Sequence, residues 1–121
     1  MVLATSNRTK QLLCVSYIEQ VRADDLQRSR EDLEALLAEL RPGFRLLVDL
    51  TQLETMDSDC ATEIGILMDL IDQRGVSLVV RVIPDPKKDI GMNILTIFHY
   101  RHRPRLVTCD KLTDAAEVLS L

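Results

Sequence analysis

Apolar positions along this chain switch between two spacings. Lys10 to Ile18 (KQLLCVSYI) is rich in β-forming residues and predicts a strand, extending at most to Val21. Leu26, Leu33, Leu36, Leu37 and Leu40 then recur at helical intervals and make one stripe of about four turns. Asp24 with Gln27 predicts a capping box at the start of that helix, and Pro42-Gly43 stops it. Arg28, Arg30, Glu31, Asp32, Glu34 and Glu39 lie largely off the stripe, which makes them a solvated face.

The alternation repeats. Phe44 to Leu50 is an almost unbroken apolar run interrupted by Asp49, and predicts a strand buried on both faces. Residues 51–57 read as a connection. Ala61, Ile64, Leu67, Met68 and Ile71 form the next helical stripe, with Arg74 in its last turn and Gly75 placed for a left-handed C′ position. Val76 to Ile83 predicts a third buried strand, followed by a turn at Pro84 and Pro86. Ile90, Ile94, Leu95, Ile97 and Phe98 give a broad apolar helix face. Arg105 to Cys109 reads as a fourth strand, and Thr113-Asp114 caps a terminal helix through Leu121. The order β-α-β-α-β-α-β-α implies a mainly parallel α/β sheet with right-handed crossovers. Residues 1–9 read as a flexible leader and residues 10–121 as one domain.

Composition narrows the class. Apolar residues make up 46% and aromatics 3% with no Trp, so the core is aliphatic and base-stacking platforms are disfavoured. The net charge of -4 argues against bulk attraction to nucleic acid. The charge is uneven: residues 1–80 hold 8 basic and 14 acidic groups, residues 81–121 hold 7 and 5. Cys14, Cys60 and Cys109 lack metal-type spacing, which suits a reducing compartment. MVLATSNRTK lacks the apolar centre of a signal peptide, and no apolar run approaches the ~20 residues of a membrane span. A cytoplasmic location is expected. The oligomeric state stays open, a homodimer included.

The polar cluster Asp57-Ser58-Asp59 stands where a strand run gives way to a helical stripe. Open α/β sheets bind ligands and partners at the carboxyl ends of their strands. The segment LLVDLTQLETMDSDCATEIGILMDLIDQRGVSLVV resembles the central part of STAS domains, the fold of anti-sigma-factor antagonists. The likeness is clear over Phe44 to Ile83 and looser beyond. It implies a four- to five-stranded mainly parallel or mixed sheet with about four helices, close to the SpoIIAA-like group. The group's M-D-S-S-G falls on Met56-Asp57-Ser58-Asp59-Cys60, so the regulatory phosphoserine position is held by Asp59 and only Ser58 survives as a hydroxyl. Asp59 then supplies a fixed charge in place of a phosphate, marks lost regulation, or simply caps the helix. Ser58 is a cap or a phosphorylation site.

The resemblance implies a regulatory protein-interaction module that is not an enzyme, with an anti-sigma kinase-like protein as partner. The expected partner-binding residues are Asp57, Ser58, Asp59, Thr62, Lys87 and Lys88. The alternative, from the likeness of this group to CRAL-TRIO domains, is a carrier of a small apolar ligand or lipid under the Ile90–Phe98 helix. Arg101, Arg103 and Arg105 form a basic connection able to clamp an anion, at the opposite sheet edge from Asp57-Ser58. Cys60, inside a helix start, would be reactive if backbone donors lowered its pKa. His99 and His102 lie three apart but lack further ligands, and their neighbours are Arg, so no metal is expected. No phosphate loop, nucleophile elbow or cofactor signature appears.

Overall fold

In the computed structural model, residues 1–85, 96 and 99–121 are described. A five-stranded sheet has the order β1-β2-β4-β6-β7, formed by Val2–Asn7, Leu12–Tyr17, Arg45–Asp49, Leu78–Val82 and Arg105–Cys109. A small second sheet pairs β3 (Glu19–Val21) with β5 (Leu53–Met56). Three helices are described: α1 (Ala23–Ala38), α2 (Cys60–Gln73) and α3 (Leu112–Val118). The apolar face expected to form a further helix, Ile90 to Phe98, falls within residues 86–98, of which only Thr96 is described.

The sheet is mixed. Strands β2, β4, β6 and β7 are parallel, while β1 runs antiparallel to β2 in register from Val2↔Tyr17 to Asn7↔Leu12. The expected leader over residues 1–9 is therefore corrected: most of it is an edge strand. Its burial alternates, with Val2, Ala4 and Ser6 half-buried and Leu3, Thr5 and Asn7 exposed. An edge strand with one wet face needs few apolar residues, so it carries a faint signal. The hairpin turn also lacks Gly and Pro. Asn7 Oδ1 accepts the Lys10 N–H at 3.0 Å, and Gln11 takes the left-handed backbone at φ 49.

Two further boundaries move. The strand expected from Lys10 divides into β2 and β3, and the connection over 51–57 contains β5. At the end of β4, Asp49 Oδ1 accepts the Thr51 N–H at 2.9 Å and the Thr51 hydroxyl at 2.6 Å. That local turn folds the chain back into β5. Helix α1 begins at Ala23, one residue before the expected cap. Asp25 Oδ2 instead accepts the Arg22 N–H at 2.9 Å. Gly75 has φ 87, as its expected C′ role requires, and its N–H donates to Asp72 O at 3.0 Å.

The larger core lies between the sheet and α1 and α2, and buries Leu13, Val15, Leu46, Val48 and Val79 with Leu26, Leu33, Leu37, Ile64 and Leu67. The opposite face carries Leu12, Val80 and Val82, covered by Ala115 and Leu119 at α3 and its end. Each fully buried aliphatic side chain stabilises the fold by roughly 2 kcal/mol before chain entropy is subtracted.

Candidate functional site at the β5–α2 junction

The acidic triplet lies where three elements end or begin together. β5 ends at Met56, α2 begins at Cys60, and β3 ends beside them. The Asp57 N–H donates to Val21 O at 3.3 Å, which fixes the end of β5 to β3. Asp57, Ser58, Asp59 and Thr62 are all exposed. Lys87 and Lys88, expected on the same surface, lie outside the described residues.

The triplet does not cap α2 with its side chains. Asp59, the N-cap residue, has helical backbone angles of φ -71 and ψ -9 and makes no side-chain cap hydrogen bond. A capping side chain needs an extended backbone to reach back to the second and third amides. Here carbonyls take the first donors instead: Cys60 N–H to Asp57 O at 3.0 Å, Ala61 N–H to Ser58 O at 3.4 Å. Ser58 is thus not the cap residue, and Asp59 holds the N-cap position with its charge beside the helix start but without a side-chain cap bond. Two carboxylates and a hydroxyl are exposed and make no side-chain hydrogen bond with a described residue.

Cys60 points the other way. It is fully buried, and its Sγ lies 3.5 Å from Val21 O. Burial, with the negative charges of Asp59 and Asp57, pushes the thiol pKa up. These effects outweigh the backbone donor, so the reactive-thiol reading loses its basis. Cys14 and Cys109 are half-buried in strands, and burial raises their pKa values as well.

Glu63, one turn into α2, links the two long helices. Its carboxylate accepts Arg30 Nη2 at 2.7 Å and Gln27 Nε2 at 3.0 Å, both from α1. Arg30 was expected on the solvated face, yet it is a tertiary partner. The clamp holds the start of α2, and with it the triplet, against α1.

The two histidines have a use that the sequence reading missed. His99 Nδ1 lies 2.9 Å from Asp69 Oδ1, and His102 Nδ1 lies 2.8 Å from Asp72 Oδ2. Asp72 Oδ1 also accepts the His102 backbone N–H at 3.2 Å. Asp69 and Asp72 share the three-residue spacing of His99 and His102, and that matched spacing was the available signal. The His99 ring lies against α2 at Gly65, where a Cβ would sit 2.6 Å from Nε2. No group of three or more metal-ligating side chains occurs among the described residues.

Arg81 is buried on the α1/α2 side of β6, and its Nη2 donates to Thr108 Oγ1 at 3.0 Å. With Tyr17, Tyr100 and aliphatic side chains of α1 and α2 it lines a cavity of about 20 Å³. Such a volume holds one water and no acyl chain, so the carrier reading gains nothing from the described residues. Arg101, Arg103 and Arg105 are exposed at the amino end of β7, where Arg105 pairs with Leu78, the first residue of β6. They therefore lie at the opposite edge from the triplet, as the parallel order requires. No helix among the described residues is long and apolar enough to cross a membrane.

Comparison with known proteins places the fold. No protein-family model and no curated protein sequence matches the chain. Among solved structures, it is similar to a DUF3478-family protein with a SpoIIAA-like fold from Shewanella loihica PV-4, at TM-score 0.70 and 15% identity, over 98% of this chain and 92% of that one. The unphosphorylated anti-sigma factor antagonist SpoIIAA matches at TM-score 0.61 and 12% identity over the whole of both chains. An anti-sigma factor antagonist from Mycobacterium paratuberculosis matches at TM-score 0.61 and 15% identity, over 100% of this chain and 94% of that one. The chain has the SpoIIAA-like fold.

Proposed function

We propose that this protein is a regulatory interaction module that docks a protein partner at the β5–α2 junction. The observation that carries the reading is the state of Asp57, Ser58 and Asp59: exposed at a helix start, without a side-chain cap bond and without an ion pair to a described residue. Structures of the same fold are described as anti-sigma factor antagonists, one of them in its unphosphorylated form. In the motif correspondence Asp59 takes the phosphoserine position. A permanent carboxylate there supplies part of a phosphate's charge without a kinase, so the module works constitutively rather than as a phosphoswitch. A cytoplasmic setting, a kinase-like partner and a non-enzymatic role accompany this reading. Thr62, exposed near the start of α2, extends the surface.

Charge reversal tests it. Partners that co-purify with the tagged wild-type chain from its own host are identified, and their affinities measured. Asp57→Arg/Asp59→Arg is expected to weaken the specific partner by about tenfold or more, with the salt dependence of a charge-steered interface. Asp59→Ser keeps the shape but removes the charge, and is expected to weaken binding until that serine is phosphorylated. Undiminished binding of every partner by the double reversal would remove this junction from consideration.

A further inference from the structure

The two ends of the sheet differ in charge. Strands β2, β4, β6 and β7 run in the same direction, so the turns that precede them share one end. Backbone bonds join those turns into a row. Arg45 N–H donates to Gln11 O at 2.9 Å, Gly43 N–H to Gly75 O at 2.7 Å, and Arg105 N–H to Ser77 O at 3.0 Å. Arg8 and Lys10 sit in the first turn, and Arg41 leads the second. Arg74 stands at the third, and Arg101, Arg103 and Arg105 at the fourth. All are exposed, and none forms an ion pair with a described residue. The buried carboxylate at this end, Asp72, is occupied by His102.

We infer that this basic end is a second docking site, for an acidic, extended segment of a partner protein. The row crosses four strands. Three spacings of ~4.8 Å make it ~15 Å long, the reach of four or five extended residues. Six of its seven cations are arginines, whose planar forks pair with carboxylates two bonds at a time. The turns hold Thr9, Gln11, Pro42, Gly43 and Gly75, and Phe44 and Tyr100 beside them are buried, so no exposed Phe, Tyr or Trp is there to anchor a folded partner or wedge into a bilayer. A long polyanion such as nucleic acid would also meet the acidic remainder of a chain whose net charge is -4. A short peptide senses only charges within a Debye length of about 8–10 Å.

The site lies at the other end from Asp57-Ser58-Asp59, so both can be filled together, and it stands without the proposed function. Fluorescence anisotropy with a labelled peptide of about a dozen residues, half of them Glu, at about 50 mM salt is the direct test. Saturable binding is expected, falling about tenfold or more towards 200 mM salt. The variant Arg101→Glu/Arg103→Glu/Arg105→Glu should lose about tenfold or more, and Arg8→Glu/Lys10→Glu, in a separate turn, should also weaken binding. Asp59→Arg should bind at least as well as wild type. Thermal melts check that each variant is folded, and either charge-reversed variant suffices. No saturable binding, or equal binding by a folded charge-reversed variant, overturns the inference. So does tighter binding to a DNA duplex or to phosphatidylserine vesicles than to the peptide.

Discussion

Gly65 shows how one residue position can organise a contact between segments. It lies inside α2, where glycine is a poor helix former. The tertiary reason is the His99 imidazole, which occupies the space of the missing side chain and turns Nδ1 towards Asp69. Gly65→Ala puts a methyl 2.6 Å from His99 Nε2 and must displace that ring. The expected loss is about 1–3 kcal/mol in urea unfolding. In Gly65→Ala/His99→Ala the clash is gone, so the double variant should be more stable than the sum of the two single effects. Strict additivity would show that the two residues do not meet. Cys60 makes the complementary point. Its place in the sequence suggested a helix-activated thiol, and burial beside two carboxylates reverses the direction of the pKa.

At the scale of elements, the position of α2 decides where the triplet points. The helix is held on its apolar side by Ile64, Leu67, Met68 and Ile71, and at its start by the Glu63 bridge to Arg30 and Gln27. Glu63 is 13% exposed and Arg30 37%, so the pair is partly shielded and is worth more than a surface bridge. Glu63→Ala is expected to destabilise by about 1–2 kcal/mol, because it strips Arg30 of its acceptor. A thermodynamic cycle with Arg30→Ala should show a coupling of about 0.5 kcal/mol or more. Zero coupling would mean that the helices are held by apolar packing alone. Strand β1 is the element least visible from sequence. Its inward residues are only Val2, Ala4 and Ser6, because an edge strand shares its core face with α1 and leaves the other face to water.

At the scale of the whole molecule, the interior reports on alkaline unfolding. Tyr17 and Tyr100 are the two tyrosines of the chain, and both are buried. Burial pushes both phenols well above the ordinary value of 10.0. The folded state keeps protons that the unfolded chain releases above about pH 10, so their contribution is complete below that pH and declines as pH rises past it. Tyrosinate absorbance at 295 nm should stay flat through the ordinary range and appear together with loss of helical circular dichroism. Tyrosinate formed near the ordinary value in a folded protein would contradict the burial of these rings.

The layered plan is written in local patterns along the chain. Hydrophobic spacing of two kinds must put strands in a buried sheet and helices on its faces, and that is local physics read from neighbouring residues. Gly75 ended α2 as its position required, and the polar triplet marked the start of that helix. What each polar group meets is set by long-range packing instead. Arg30 and Glu63 are 33 residues apart, and His102 and Asp72 are 30 apart. The basic turns of one sheet end come from four separated segments. Such meetings depend on how elements stack, and no short-range pattern encodes them. The Asp-Ser-Asp cluster was legible as a location, while its lack of a side-chain cap bond followed from backbone angles that the residue types do not specify.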